Sequence, residues 1–277
     1  MTITATGNRM TTEIARQAKL AQDIAKTQIS ISTTKRFQSA SEDPLAAARV
    51  AQLNIAKAND TTWKNNLNLG ASLASQADVT LASLSSGMLQ ANDLMIAGAS
   101  NTASAADRAT YAAQLRDLAT QVDSLRSTTT SLGTPLFSTG TATAFRVDNG
   151  TTIAPAASAA TVFDRSGVSL SDDLRNAALA LESGNQTQIN TALSRIGTAV
   201  DHVANAAADQ GVRGAQIDRL IDSNAARSID TEAERSGLED TDIQSAIAKL
   251  NSQQLTLEAA QAAFARLNRR TLFDILS

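Results

Sequence analysis

Three features of the sequence predict a mainly α protein: a long antiparallel helical rod or coiled-coil bundle with both termini paired, plus a small β-rich insert. The first is a C-terminal stretch that places Ile243, Ala246, Leu250, Gln253, Leu257, Ala260, Phe264 and Leu267 in alternating steps of three and four. A seven-residue period of this kind marks a helix that lies against other helices. The second is a longer seam of the same period, Trp63, Leu67, Gly70, Ala74, Ala77, Leu81, Leu84, Met88, Ala91 and Met95. The third is the loss of any helical period over residues 136–163, where short apolar runs alternate with Ser, Thr and Gly.

Composition agrees with helices. The 277 residues are 43% apolar but only 3% aromatic, so the core must be mostly Ala, Leu, Ile and Val, which suits closely packed helices. With 24 basic and 27 acidic residues, bulk charge points to no nucleic-acid partner and no anionic membrane. There is no cysteine, hence no disulfide, thiol nucleophile or thiolate metal site. No run of 18 apolar residues predicts a membrane-spanning helix. The start lacks the basic and apolar blocks of a secretory signal, so the expectation is a cytosolic protein or one exported without a cleaved signal.

The first helix repeats the heptad pattern through Met10, Ile14, Gln17, Ala21, Ile24, Gln28 and Ile31. It is basic (Arg9, Arg16, Lys19, Lys26, Lys35 and Arg36 against Glu13 and Asp23), whereas the start of the last helix is acidic. An antiparallel pair of the two is expected. Glutamines on both seams, and the apolar ending Leu272-Phe273-Asp274-Ile275-Leu276, imply that the pair needs neighbours to become stable.

Asp43-Pro44 is a helix start: the aspartate caps, and proline fits the first position, which needs no N–H. A helix is predicted over residues 44–97, followed by a turn over 98–106. Asp107 is read as the cap of a third helix with Tyr111, Leu115, Leu118, Val122, Leu125 and Leu132 on its seam. The segments Leu136-Phe137, Ala144-Phe145-Arg146-Val147, Thr151-Thr152-Ile153 and Thr161-Val162-Phe163 read as short strands, with Asp148-Asn149-Gly150 as a hairpin turn. Ser171-Asp172-Asp173 opens a short helix that ends at Ser183-Gly184. Leu193, Ile196, Val200, Val203, Ala207, Gln210, Gly214, Ile217 and Ile221 form the next seam. The expected domains are residues 1–38 with 239–277 (terminal helices), 39–132 with 168–238 (rod) and 133–167 (insert).

Four stretches carry a family resemblance. They are Ser41-Glu42-Asp43-Pro44-Leu45-Ala46-Ala47, Leu136-Phe137-Ser138-Thr139-Gly140, Gly211-Val212-Arg213-Gly214-Ala215-Gln216-Ile217-Asp218-Arg219-Leu220 and Thr271-Leu272-Phe273-Asp274-Ile275-Leu276. In order and position they resemble the flagellin superfamily of axial flagellar proteins, and within it the hook–filament junction family. Gln216 stands where that family's pattern has arginine, and the insert is short for it. The resemblance implies an extracellular structural subunit of the bacterial flagellum, exported without a cleaved signal, that links hook to filament. It implies contacts with copies of itself in a ring or tube layer, with the preceding hook-associated protein and with flagellin, and an export chaperone. It implies no nucleic acid, membrane insertion, cofactor or metal. Assembly is then expected to use Met10, Ile14, Ala21, Ile24 and Ile31 on the first helix. On the last it would use Ile243, Leu250, Leu257, Phe264, Leu267, Leu272, Phe273, Ile275 and Leu276. Flagellin itself is the alternative within the same class, and a cytoplasmic coiled-coil signalling module is the more distant one.

Signs of catalytic chemistry are weak. His202 is the sole histidine and reads as a helix-flank residue. Asp230, Glu232, Glu234, Glu239, Asp240 and Asp242 lack calcium-loop spacing and read as an exposed acidic helix entrance. Gly211 and Gly214 lack the Lys-Ser/Thr of a phosphate loop and read as close helix packing. Met88 and Met95 read as core, and no enzyme activity is expected.

Overall fold

The computed structural model describes the backbone of residues 3–276 and the side chains of residues 10–266. Among them, the long helices are α1 (Ile3–Thr33), α2 (Pro44–Ala99), α3 (Ala105–Arg126), α5 (Leu170–Ser183), α6 (Gln186–Glu239) and α7 (Ile243–Leu276). A one-turn helix, α4 (Ala159–Phe163), and four two-residue strands lie between α3 and α5. The mainly α class is as the seams predict.

Contacts divide the chain into two compact units, Asn59–Arg227 and Met1–Ala58 with Ser228–Ser277. Both α2 and α6 belong to both units. No glycine, proline or loss of period marks either division in the sequence.

The unit Asn59–Arg227 holds the larger core. Leu81, Leu84, Met88 and Met95 of α2 are buried with Leu115 of α3, Leu174 and Leu181 of α5, and Ile189, Ile196 and Val203 of α6. Each is at most 2% exposed, as the seven-residue seams require. Gly98, expected to open a turn, is instead in the last turn of α2. A Cβ there would stand 2.6 Å from a Leu181 methyl. α3 is capped by Ser104, not Asp107: Asp107 is the third helical residue and returns a bond to the Ser104 N–H, a capping box. Leu132 lies beyond α3 and is 74% exposed, so it is not on that helix's seam.

The insert is part strand and part buried loop. β1 (Phe145–Arg146) and β2 (Thr152–Ile153) pair antiparallel around Asp148-Asn149-Gly150, as the turn signal predicts. Thr161-Val162-Phe163 is not a strand but belongs to α4, whose Ser158 cap accepts from Thr161 N–H. Leu136-Phe137 is not a strand either. Phe137 and Phe163 are instead driven into the core, where their rings meet edge to face at 5.2 Å. A second hairpin, β3 (Asp164–Arg165) with β4 (Val168–Ser169), turns on Ser166 and Gly167. Both have positive φ, 51° and 81°, the geometry of a type I′ turn. The Ser-Gly dipeptide was its signal.

In the unit Met1–Ala58 with Ser228–Ser277, α1 packs on α7, and Ala46, Val50 and Leu53 of α2 are buried. Asp43 caps α2 by accepting from Ala46 N–H at 3.0 Å, as Asp43-Pro44 predicts. α6 runs through Ser236-Gly237 without a break, as far as Glu239.

Candidate assembly surface

α1 and α7 run antiparallel. Thr241 N–H donates to Thr34 O at 2.8 Å, and Arg36 N–H to Glu239 O at 2.7 Å. Further along, Thr27 Oγ1 donates to Gln253 Oε1 at 3.0 Å. Rising numbers on α7 therefore meet falling numbers on α1. Asp242 caps α7, its carboxylate accepting from the Gln244 and Ser245 N–H groups.

The α7 seam lies where its period puts it. Ala246 is buried, and Ile243, Leu250, Gln253, Leu257, Ala260 and Phe264 are half-buried. On α1 the structure selects a different line. Gln17, Ile24 and Ile31 are half-buried as expected, but the positions between them are Leu20 and buried Thr27, not Ala21 and Gln28. Met10 and Ile14 are 45% and 51% exposed, and Ala21 is exposed as well. The two lines flank the same 17–24–31 row, separated by one residue in seven, so periodicity alone fits both. Thr27 decides for the second, because its hydroxyl reaches both Asp23 O and Gln253. The side chains of Leu267, Leu272, Phe273, Ile275 and Leu276 lie outside the described residues.

The pair therefore keeps two unequal faces. Its inner seam is thin and partly polar, and the Gln17 amide nitrogen is buried without a partner. Its outer faces expose Met10, Ile14 and Ile29 on α1, and Ile247 and Leu255 on α7.

The acidic end of α6 is not the free acidic entrance expected from the sequence. Glu232 meets Lys57 and Arg235, Glu234 meets Arg49, and Glu239 meets Lys35 and Arg235. The hydrogen bond from Arg235, with that from Lys57, pulls the Glu232 carboxyl down to about 2. Glu239 also lies below the usual glutamate range, chiefly through the Lys35 ammonium.

In the other unit the β1–β2 hairpin is clamped by Arg227. Its guanidinium donates to Asp60 at 2.8 Å and to Asp148 at 3.1 Å, and lies 4.9 Å over the Trp63 ring. Farther along α6, Gln210 is 1% exposed and donates to Pro155 O at 2.8 Å. His202 is half-buried and sits 3.2 Å from Val162 O, a flank contact. Gly211 has nothing within 4 Å of its absent Cβ, so close packing does not explain it. Met88 and Met95 are fully buried. Among the described residues no group of three His, Cys, Asp or Glu side chains is placed to hold a metal ion. No helix among them is long and apolar enough to cross a membrane.

Residues 193–276, most of α6 and all of α7, match the family described as the bacterial flagellin C-terminal helical region. No curated protein sequence matches the chain significantly. Among solved structures, a putative flagellar hook-associated protein from Vibrio parahaemolyticus is similar at 17% identity and a TM-score of 0.64. The match covers 72% of this chain and 100% of that one. The chain thus has the fold of that protein, and its last two helices match the flagellin C-terminal region.

Proposed function

We propose that this protein is a structural subunit of the bacterial flagellum, exported and built into a tubular layer, and more narrowly the layer that joins hook to filament. The observation that carries the flagellar reading is the α1–α7 pair, with its thin inner seam and exposed apolar side chains, whose α7 lies in the stretch that matches the flagellin C-terminal helical region. A two-helix pair that leaves Met10, Ile14, Ile29, Ile247 and Leu255 in water has more apolar surface to bury than it has used. Burial against other copies supplies what the single chain lacks. The likeness to a hook-associated protein supports the same class.

The junction role, as against flagellin, rests on the Asp43-Pro44 start of α2 and the Leu272-Phe273-Asp274-Ile275-Leu276 ending. A filament subunit accepts copies of itself without limit, giving an open helical polymer; a junction subunit meets unlike partners above and below. Its partners are then copies of itself, the preceding hook-associated protein and flagellin, with a chaperone before export. A strain lacking the protein is expected to keep its hooks and to shed unpolymerised flagellin into the medium. Purified protein that grows into micron-long filaments on flagellar seeds would move the assignment to flagellin. A deletion strain with normal filaments would overturn the junction role.

A further inference from the structure

α2 carries two heptad seams on opposite faces, and only one of them is used. Ala77, Leu81, Leu84, Met88, Ala91 and Met95 are buried in the core. Val79, Ala82, Ser86, Leu89, Asp93 and Ile96 follow the same alternation, and all lie in water. Val79 is two residues before Leu81, about 200° around a helix of 3.6 residues per turn. The side chains of Val79, Leu89 and Ile96 are 66%, 51% and 54% exposed. No lysine or arginine occurs between Lys64 and Arg108, so this face is apolar with an acidic residue on its seam.

α6 also has a second seam. Val203, Gln210 and Ile217 are buried, while Ala208, Val212, Ala215, Arg219, Asp222 and Ala226 alternate by four and three on the exposed side. It is mostly small, with Val212 64% exposed. Arg219 makes no ion pair among the described residues, and neither does Asp93. The α2 seam thus offers large apolar side chains with one acid, and the α6 seam offers mostly small side chains with Arg219 and with Asp222, which likewise makes no ion pair among the described residues. Since α2 and α6 pack together through their buried seams, within the unit Asn59–Arg227 the two free seams point away from each other.

We propose that these two seams are one interface: the exposed α2 seam of one copy packs on the exposed α6 seam of a second copy, with Asp93 paired to Arg219. This rests on the flagellar assembly reading and names the contact between neighbouring copies. The surfaces differ, so the contact is heterologous, and repetition makes a ring or a helical array. The opposite charges at seam positions fix its register. Asp93 and Arg219 are also at different levels along the unit. Ile217 shares a cluster with Leu67, and Gln186 bonds Ala99 O at 3.2 Å, so Arg219 lies near the Leu67 end of the unit and Asp93 near the Ala99 end. From Leu67 to Asp93 the helix rises roughly 40 Å at ~1.5 Å per residue. The neighbour is therefore staggered along the helix axis rather than level with its partner.

The chain has no cysteine, which makes the test direct. The full-length Asp93→Cys, Arg219→Cys double variant is expressed in flagellated cells and oxidised, and its flagella are isolated. A ladder of cross-linked multimers is expected, with no cross-link from either single variant. A disulfide needs Cα atoms within about 7 Å, so a bond within one chain is ruled out. Dimers from Asp93→Cys alone, or a double variant that stays uncross-linked in flagella containing it, would overturn the interface and leave the flagellar reading standing. Absence of the protein from flagella would overturn that reading and the interface with it. In a second arm, Asp93→Arg or Arg219→Asp alone lowers incorporation about tenfold, and the two together restore it. Both sites are exposed, so helicity and melting of the soluble variants should stay at wild-type values. Failure of the double swap to recover incorporation rejects the pairing.

Discussion

Asp173 is a buried charge in the larger unit. Its side chain has no exposure and lies between Arg165 and Arg195, each at 3.0 Å. Removing the carboxylate leaves Arg165 and Arg195, 24% and 45% exposed, without their buried partner, so solvent holds the cost to the lower end of the range for breaking a buried pair, about 3–5 kcal/mol. Asp173→Ala should therefore lower the melting temperature by about 10 °C; a shift within 2 °C would show that the pair contributes little. Gly98 makes the opposite case, a position with no room to grow. Alanine is the better helix former by about 1 kcal/mol, yet its methyl would meet the fully buried Leu181 at 2.6 Å. Overpacking of this sort costs about 1–3 kcal/mol, so Gly98→Ala is expected to destabilise in urea titration. At the hairpin, Arg227→Ala removes two carboxylate contacts and the cation over Trp63. Because Trp63 is the only tryptophan, its emission should shift with far-UV circular dichroism unchanged, and an unaltered spectrum would count against the stacked arrangement.

At the scale of elements, the corner between α1, α6 and α7 depends on charge. The folded-state pKa of Glu239 is lowered first by the Lys35 hydrogen bond and then by charge from Lys35 and Arg235. A depressed carboxyl stabilises the fold above its unfolded value, near 4.5, and that share is lost as pH falls through the lower folded value. Acidification below about pH 4.5 should thus loosen this corner, and Glu239→Gln should flatten the pH dependence. An unchanged acid profile in that variant would mean other carboxylates dominate. The half-exposed Arg49–Glu234 pair contributes little by comparison. Along α1 and α7, the seam is two helices thick, and among its described positions only Thr27 and Ala246 are buried. Ordering backbone costs about 1–2 kcal/mol per residue, which so thin a seam offsets poorly. Hydrogen exchange on dilute protein should find amides of residues 11–33 and 243–266 much less protected than those of residues 74–95, and the difference should vanish in assembled flagella. Equal protection in the monomer would refute coupling between assembly and folding of the pair.

At the scale of the molecule, the two units differ in how they are held. Asn59–Arg227 holds two clusters of buried side chains, whereas among the described residues the buried apolar ones of the other unit are Ala46, Val50, Leu53 and Ala246 at 5–9% exposure. Burying a Leu or Met side chain fully contributes about 1.5–3 kcal/mol, so stability is concentrated in the first. Heat should melt Met1–Ala58 with Ser228–Ser277 before Asn59–Arg227, although α2 and α6 run through both. Calorimetry should then give a van't Hoff enthalpy below the calorimetric one. A single two-state transition would mean that the shared helices couple the units fully.

The sequence by itself determined the long helices and most of their buried faces. Seams such as 67–95 on α2 and 243–264 on α7 are legible because a helix has one period and burial selects one stripe of it. The cap at Asp43 and the Asp148-Asn149-Gly150 turn were legible for a similar reason, since each satisfies backbone groups only a few residues away. Tertiary structure alone decided which of two adjacent lines on α1 meets α7, because Ala21 and Leu20 flank the same row and only the partner's Gln253 distinguishes them. It decided that Thr161-Val162-Phe163 is helical, where a β-branched, aromatic triplet favours a strand until Phe163 is drawn into the core. The pairing of Glu232, Glu234 and Glu239 with Lys57, Arg49 and Lys35 joins residues far apart in the chain, and composition records charge but not proximity. The candidate surface was half legible on the same grounds: the α7 seam follows from its own period, whereas the exposure of Met10 and Ile14 follows from what α7 leaves uncovered.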